Sequence, residues 1–243
     1  MDEPYYRPDL ARVHHEGFSF HAEEVAPGIL SILEPVRASE GLVVEFGCGS
    51  GLLTRELVAA GHRVLATDAS PAMLALARET APGAEAFELV ALPRDPVPPA
   101  DAIVGVGHPI NYLLSLDAIH EALGAMADAL RPGGILAFDV CDLAYGAARS
   151  EARSMSWVRD DWTLVTQTSL PQPDRFVRQM AIFSRNPDGT WRRDDERHDN
   201  VLVDTTTIAP LLAAHGVEAE IRPAFGEEKL PTGLDAVVGH KRG

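Results

Sequence analysis

The chain has 243 residues, 46% of them hydrophobic, and a formal net charge of −15 at pH 7. That length supplies one α/β domain of ordinary size with a sizeable core, and so acidic a surface, without any basic run, argues against nucleic acid as a partner. The only cysteines, Cys48 and Cys141, lack the neighbours of a metal knuckle, the acidic start Met1-Asp2-Glu3-Pro4 lacks an apolar h-region, and no apolar stretch reaches membrane-span length, so a cytoplasmic protein with no metal and no membrane attachment is expected.

Residues 1–38 read as an N-terminal helical arm, because Leu10, Val13, Val25, Ile29, Leu30, Ile32 and Leu33 recur at helical spacing, with Pro27 marking a break. The arm is rich in rings: Tyr5, Tyr6, His14, His15, Phe18, Phe20 and His21. Either the phenylalanines dock it on the core while the histidines face solvent, or the cluster covers a ligand. From 41 to 141 strand and helix patterns alternate, as parallel strands with right-handed crossovers do. Strands are expected at 42–46, 63–67, 84–89, 102–106 and 135–140, and helices at 52–60, 71–79 and 116–130. Ser70-Pro71 is a helix start, an N-cap followed by proline at N1.

Residues 143–203 break that rhythm. Segments at 157–159, 162–169, 176–184 and 191–199 have strand composition and are separated by turn residues such as Asn186-Pro187-Asp188-Gly189. This antiparallel β insertion reads as a roof over a substrate, or as a sheet extension or dimer surface. The chain resumes with a helix at 206–214 and strands at 217–222 and 234–240. The whole is expected to form a single domain: arm 1–38, core 39–142, insertion 143–203, and 204–243 returning to the core.

The sharpest motif is Val43-Val44-Glu45-Phe46-Gly47-Cys48-Gly49-Ser50-Gly51, an apolar strand running into alternating glycines and then a helix. Glycines there let backbone approach a ligand closely, and the helix start offers unpaired N–H groups. Asp68, at the tip of the next strand, suits a ribose diol because its carboxylate can accept both hydroxyl protons. A dinucleotide fingerprint needs a third glycine at position 52, where Leu52 stands, and a pyrophosphate would meet the carboxylate of Glu45. A cationic nucleoside would not be repelled.

Glu45, Gly47, Gly49 and Gly51, followed by Asp68 and then by Leu130-Arg131-Pro132-Gly133-Gly134, resemble in order the motifs of the class I S-adenosylmethionine (SAM)-dependent methyltransferase family. The resemblance covers 41–141 well and 205–240 more weakly. It implies a Rossmann-like, doubly wound, mostly parallel seven-stranded sheet with a reversed last strand, and SAM as cofactor. Glu45 would then orient the methionine amino group, Gly47, Cys48, Gly49 and Gly51 would approach the methionine and ribose, and Asp68 would hold the diol. Ala69 and Met73 could pack on adenine, although Met73 also suits the core. Backbone groups of Val90 and Ala91 would recognise that ring, with Leu92 covering it.

In such a fold the tip after the fourth strand, Gly107-His108-Pro109-Ile110-Asn111-Tyr112, passes beside the sulfonium. Gly107 would touch the cofactor, and His108 and Tyr112 are the candidate catalytic residues. His108 would take a proton from the acceptor or would merely hydrogen-bond the loop. Asn111 could orient substrate or close the pocket. Asp142 and Tyr145 would share the rim, and Asp139 has no assigned place. Methyl transfer from a sulfonium disperses charge and needs mainly positioning, so the absence of a triad is no obstacle. The implied activity is methylation of an oxygen, nitrogen or carbon nucleophile of a small molecule. A SAM-binding protein without transferase activity and a nicotinamide-dependent oxidoreductase are the alternatives, and a homodimer stays open.

Overall fold

The computed structural model describes residues 5–18 and 20–243; the acidic start Met1-Asp2-Glu3-Pro4 lies outside them. Two arm helices come first, α1 (Pro8–Gly17) and α2 (Phe20–Ala38). Then follow β1 (Leu42–Phe46), α3 (Leu52–Ala59), β2 (Arg63–Asp68), α4 (Pro71–Thr80), β3 (Ala86–Leu89), β4 (Ala100–Gly105), α5 (Leu116–Ala129) and β5 (Leu130–Cys141). After α6 (Leu143–Ala147) come β6 (Arg153–Val158), β7 (Trp162–Gln172), β8 (Arg175–Arg185) and β9 (Trp191–Val201), and then α7 (Ile208–Ala214), β10 (Val217–Arg222) and β11 (Leu234–Lys241).

The main sheet has seven strands in the order β10-β11-β5-β4-β1-β2-β3. β11 runs antiparallel to both β10 and β5, while the pairs from β5 to β3 are parallel. The reversed strand is therefore where the family resemblance implied it. Strand alternation sends successive side chains to opposite faces: Val43, Val64, Ala102 and Ala137 pack with α2 and α3, whereas Val44, Leu65, Ile103 and Leu136 pack with α5 and α7. Burial on both faces explains why these strands are apolar throughout instead of alternating.

Ser70 caps α4 as expected, its hydroxyl accepting from Met73 N at 3.2 Å. Pro27 does not break the arm. α2 runs through both Pro27 and Pro35, because Val25, Ile29 and Leu33 form one fully buried stripe against the sheet and tertiary packing overrides the lost backbone hydrogen bonds. The Pro132-Gly133-Gly134 turn lies within β5, where the pairing with β4 shifts register, so the strand starts earlier than its apolar run suggests.

The insertion forms a separate antiparallel sheet of four strands, β6-β7-β8-β9. α1 lays Leu10 and Val13 on Trp162, Leu164, Met180 and Ile182 of that sheet. The arm and the roof thus share an apolar core of their own. α6 was not expected; Asp142 nucleates it by accepting from Tyr145 N at 2.9 Å. Asn111 is fully buried and ties three segments together, donating to Cys141 O at 2.9 Å and to Val201 O while its Oδ1 accepts from Cys141 N at 2.8 Å.

Candidate active site

A cavity of about 650 Å³ opens at the carboxyl ends of β1, β2 and β4, roofed by the arm. This is the switch point of the sheet, where crossovers leave β1 and β4 in opposite directions. Its floor is the glycine turn. Gly49 has φ +54°, and a Cβ there would meet no atom within 4 Å, so backbone alone faces the open space. Gly47 (φ +61°) is pressed against Pro109, 2.5 Å from where its Cβ would sit. Gly51, expected beside the ligand, stands outside the cavity wall, and its Cβ would strike Ala77 Cα at 2.9 Å. Its role is close packing of α3 on α4.

Glu45 lines the cavity and is 2% exposed. Burial pushes its carboxyl up to about 8, opposed by the Thr54 hydroxyl and aided by nearby Asp68. Thr54 Oγ1 donates to Oε2 at 2.6 Å, which leaves Oε1 with no partner among the described residues. Asp68 also reaches the cavity. Gly49 N donates to its Oδ2 and Ser70 N to its Oδ1, each at 2.8 Å, and each oxygen keeps a lone pair for a diol. Cys48, Ala69, Met73 and Gly107 contribute to the wall, as do Val90, Ala91 and Leu92.

The backbone recognition expected of Val90 and Ala91 is not available through their N–H groups. Val90 N donates to Asp68 O at 3.1 Å, and Ala91 N to Asp95 Oδ2 at 2.8 Å. Both donors are spent on shaping the loop.

His108 and Tyr112 part company. Tyr112 lines the cavity, whereas His108 does not. The His108 imidazole stacks on Tyr112 with centroids 5.5 Å apart, and its Nδ1 is buried without a partner. Burial and then the Arg178 charge lower its pKa to about 3, which makes it a weak proton acceptor near neutrality. This geometry suits the loop-packing alternative. Asn111, Asp142 and Tyr145 also stand outside the cavity wall, occupied by the structural contacts described above or, for Tyr145, by an edge-to-face contact with Phe176 at 5.4 Å.

Two groups of residues were missed. Asp139, fully buried on β5, accepts from Gly107 N at 2.9 Å and from His108 N, and its Oδ2 bonds His21 Nε2 at 2.7 Å. His21 lines the cavity. Burial opposes its charge, but the hydrogen bond and charge of Asp139 prevail and raise its pKa. The second group is Tyr6, which lines the cavity and whose hydroxyl lies 2.8 Å from that of Tyr112, with Arg178 of β8 donating to Tyr112. The ring-rich arm was the visible signal for Tyr6 and His21; nothing in the sequence tied either to Asp139 or Arg178. His15 Nδ1, 2.9 Å from Ser50 Oγ, fastens the arm to the glycine turn.

Sheet order, reversed strand and cavity define a class I methyltransferase fold. Residues 43–134 match the family model described as a methyltransferase domain. The chain is 36% identical over 141 residues to malonyl-[acyl-carrier protein] O-methyltransferase of Pectobacterium atrosepticum, an alignment covering 58% of this chain and 53% of that protein; the chain spans about half the length of this curated relative. Among solved structures, a SAM-dependent methyltransferase from Clostridium acetobutylicum superposes with a TM-score of 0.79 at 16% identity, covering 96% of this chain and 98% of that one. An amino pentose methyltransferase from Micromonospora echinaspora, solved with SAM bound, gives 0.70 at 20% identity over 99% of each chain.

Proposed function

We propose that the whole chain is a methyltransferase that moves the SAM methyl group to a nucleophile of a small molecule. The observation that carries this reading is the pairing of an unobstructed glycine turn with two cavity-lining carboxylates, Glu45 and Asp68. Three features suit SAM: the open space where a Gly49 Cβ would stand, the free Oε1 of Glu45, and the spare lone pairs of Asp68. When bound, SAM supplies an electrophilic methyl on a cationic sulfur. Glu45 would receive the amino group, Asp68 the ribose hydroxyls, and the side chains of Met73, Val90 and Leu92 would wall the adenine.

The remaining work of the protein is positioning and exclusion of water. His21, oriented by buried Asp139, can hold a proton at the cavity wall for an acceptor that arrives protonated. A small-molecule acceptor accords with a cavity of about 650 Å³ covered by the arm. A cytoplasmic setting accords with two free, buried cysteines. No helix among the described residues is long and apolar enough to cross a membrane. Nothing in the comparisons supports a nicotinamide-dependent or transferase-inactive reading.

Glu45 sets the pH dependence of this reading. With a carboxyl pKa of about 8, Glu45 is mostly neutral at pH 7, and an arriving ammonium favours its ionised form. SAM affinity should therefore rise with pH, by up to about tenfold per unit below the Glu45 pKa, with a proton released on binding. Calorimetric titration of SAM in buffers of different ionisation enthalpy measures both, with NAD as the control ligand. Glu45→Gln should flatten the slope. Binding of NAD but not SAM would overturn the assignment, and a pH-independent SAM affinity would remove Glu45 from it.

A further inference from the structure

The Tyr6–Tyr112–Arg178 chain is unfinished. Arg178 can only donate; among the described residues it pairs with no carboxylate, its hydrogen bond goes to the Tyr112 hydroxyl, and its Nε is buried without a partner. The guanidinium also lies 5.7 Å from the Tyr112 ring centroid. Charge kept here without a counter-ion is costly unless something compensates it. Around it stand the phenols of Tyr6 and Tyr112 and the imidazoles of His14, His108 and His198, and the carboxylate bonded to this set, Glu196, is engaged by Tyr6 N, Arg7 N and His198 Nε2 and not by the guanidinium. The pKa values of those three histidines are all lowered, first by burial and with Arg178 contributing.

Counting protons shows what is missing. The two hydroxyls carry one proton each, and a single hydrogen bond of 2.8 Å joins them. One O–H is therefore left over, and no acceptor for it is present among the described residues. Both tyrosines line the cavity. The cluster thus presents a surplus donor at a wall formed jointly by the arm and the fourth-strand tip, backed by the positive charge that Arg178 of the roof brings to Tyr112.

Resting on the methyltransferase reading above, we infer that Tyr6 and Tyr112, polarised by Arg178, bind a carboxylate of the methyl acceptor, so that the enzyme takes organic acids. Arg178 is a positioning residue acting through Tyr112; the hydroxyls make the contact. The cofactor also carries a carboxylate, so the test must separate the two sources.

Wild type, Arg178→Met and Arg178→Lys are titrated by calorimetry with succinate, benzoate and the uncharged succinamide, each with and without S-adenosylhomocysteine. SAM and 5′-methylthioadenosine, which lacks the amino-acid portion, are titrated separately. Saturable binding of a carboxylate but not the amide, weakened at least about tenfold in Arg178→Met and partly restored in Arg178→Lys at unchanged SAM affinity, is the expected result. Failure of both acids to bind, or equal binding by Arg178→Met in its folded form, overturns the inference. So does loss of SAM affinity with 5′-methylthioadenosine binding retained, which would assign the cluster to the cofactor. Absence of SAM binding in the wild type would instead sink the methyltransferase reading, and carboxylate binding without nucleoside would still be read.

Discussion

Replacing Gly49 by alanine should weaken SAM binding at least about tenfold while lowering stability by only about 1–2 kcal/mol, the cost of a left-handed conformation in a residue with a Cβ. The two effects separate because of local geometry. At φ +54° the new methyl meets no protein atom within 4 Å, so the fold loses little beyond backbone strain. The same methyl occupies space beside the cavity floor that a bound nucleoside needs. Gly47→Ala would be a poor substitute, since its Cβ would lie 2.5 Å from Pro109 Cβ and disturb the loop itself. Calorimetry for affinity and urea denaturation for stability check the pair of values. A folded variant with wild-type affinity would show that this backbone does not face the cofactor.

Asp139→Ala should cost about 2–5 kcal/mol, the range for stripping a buried carboxylate from the donors it satisfies. Gly107 N, His108 N and His21 Nε2 all lose their acceptor. This side chain ties the fourth-strand tip to the arm, so the loss should also loosen the arm over the cavity. A pH signature distinguishes the ion pair from simple packing. The pKa of His21 in the fold is raised above its ordinary value of 6.5, so the stability it contributes is complete below that value and is lost as pH rises through the folded one. Urea denaturation across this window should show wild type losing stability relative to Asp139→Ala as pH increases. A pH-independent difference between the two would show that His21 and Asp139 are not coupled.

Much of the core was legible because its signals are local. Strand alternation, the Ser70 cap and the glycine spacing each act within a few residues, and β1, β2, α3 and α4 fall within two residues of their expected ends. The antiparallel roof was also readable, from turn residues and strand composition, and the reversal of β11 was implied by the family resemblance. The arm was harder. Pro27 looked like a terminator, yet burial of one face of α2 against the sheet outweighed it.

The site divides along the same line. Glu45, Gly47, Gly49 and Asp68 lie on one strand-turn-helix unit and the next strand tip, and chain order alone brings them together at a single edge of the sheet. His108 illustrates the opposite case: its position after β4 is a matter of sequence, but whether its imidazole meets a ligand depends on how Tyr112 and Asp139 pack beside it. Asp139 and His21 are far apart in the chain, as are Arg178 and Tyr6. The first pair meets because α2 packs on the main sheet, and the second because apolar contacts between α1 and β7–β8 fold the arm under the roof. The amino-acid order therefore determined the cofactor half of the cavity, because local backbone geometry builds it; the acceptor half was decided only by tertiary packing, because its side chains converge from segments that no short-range rule connects.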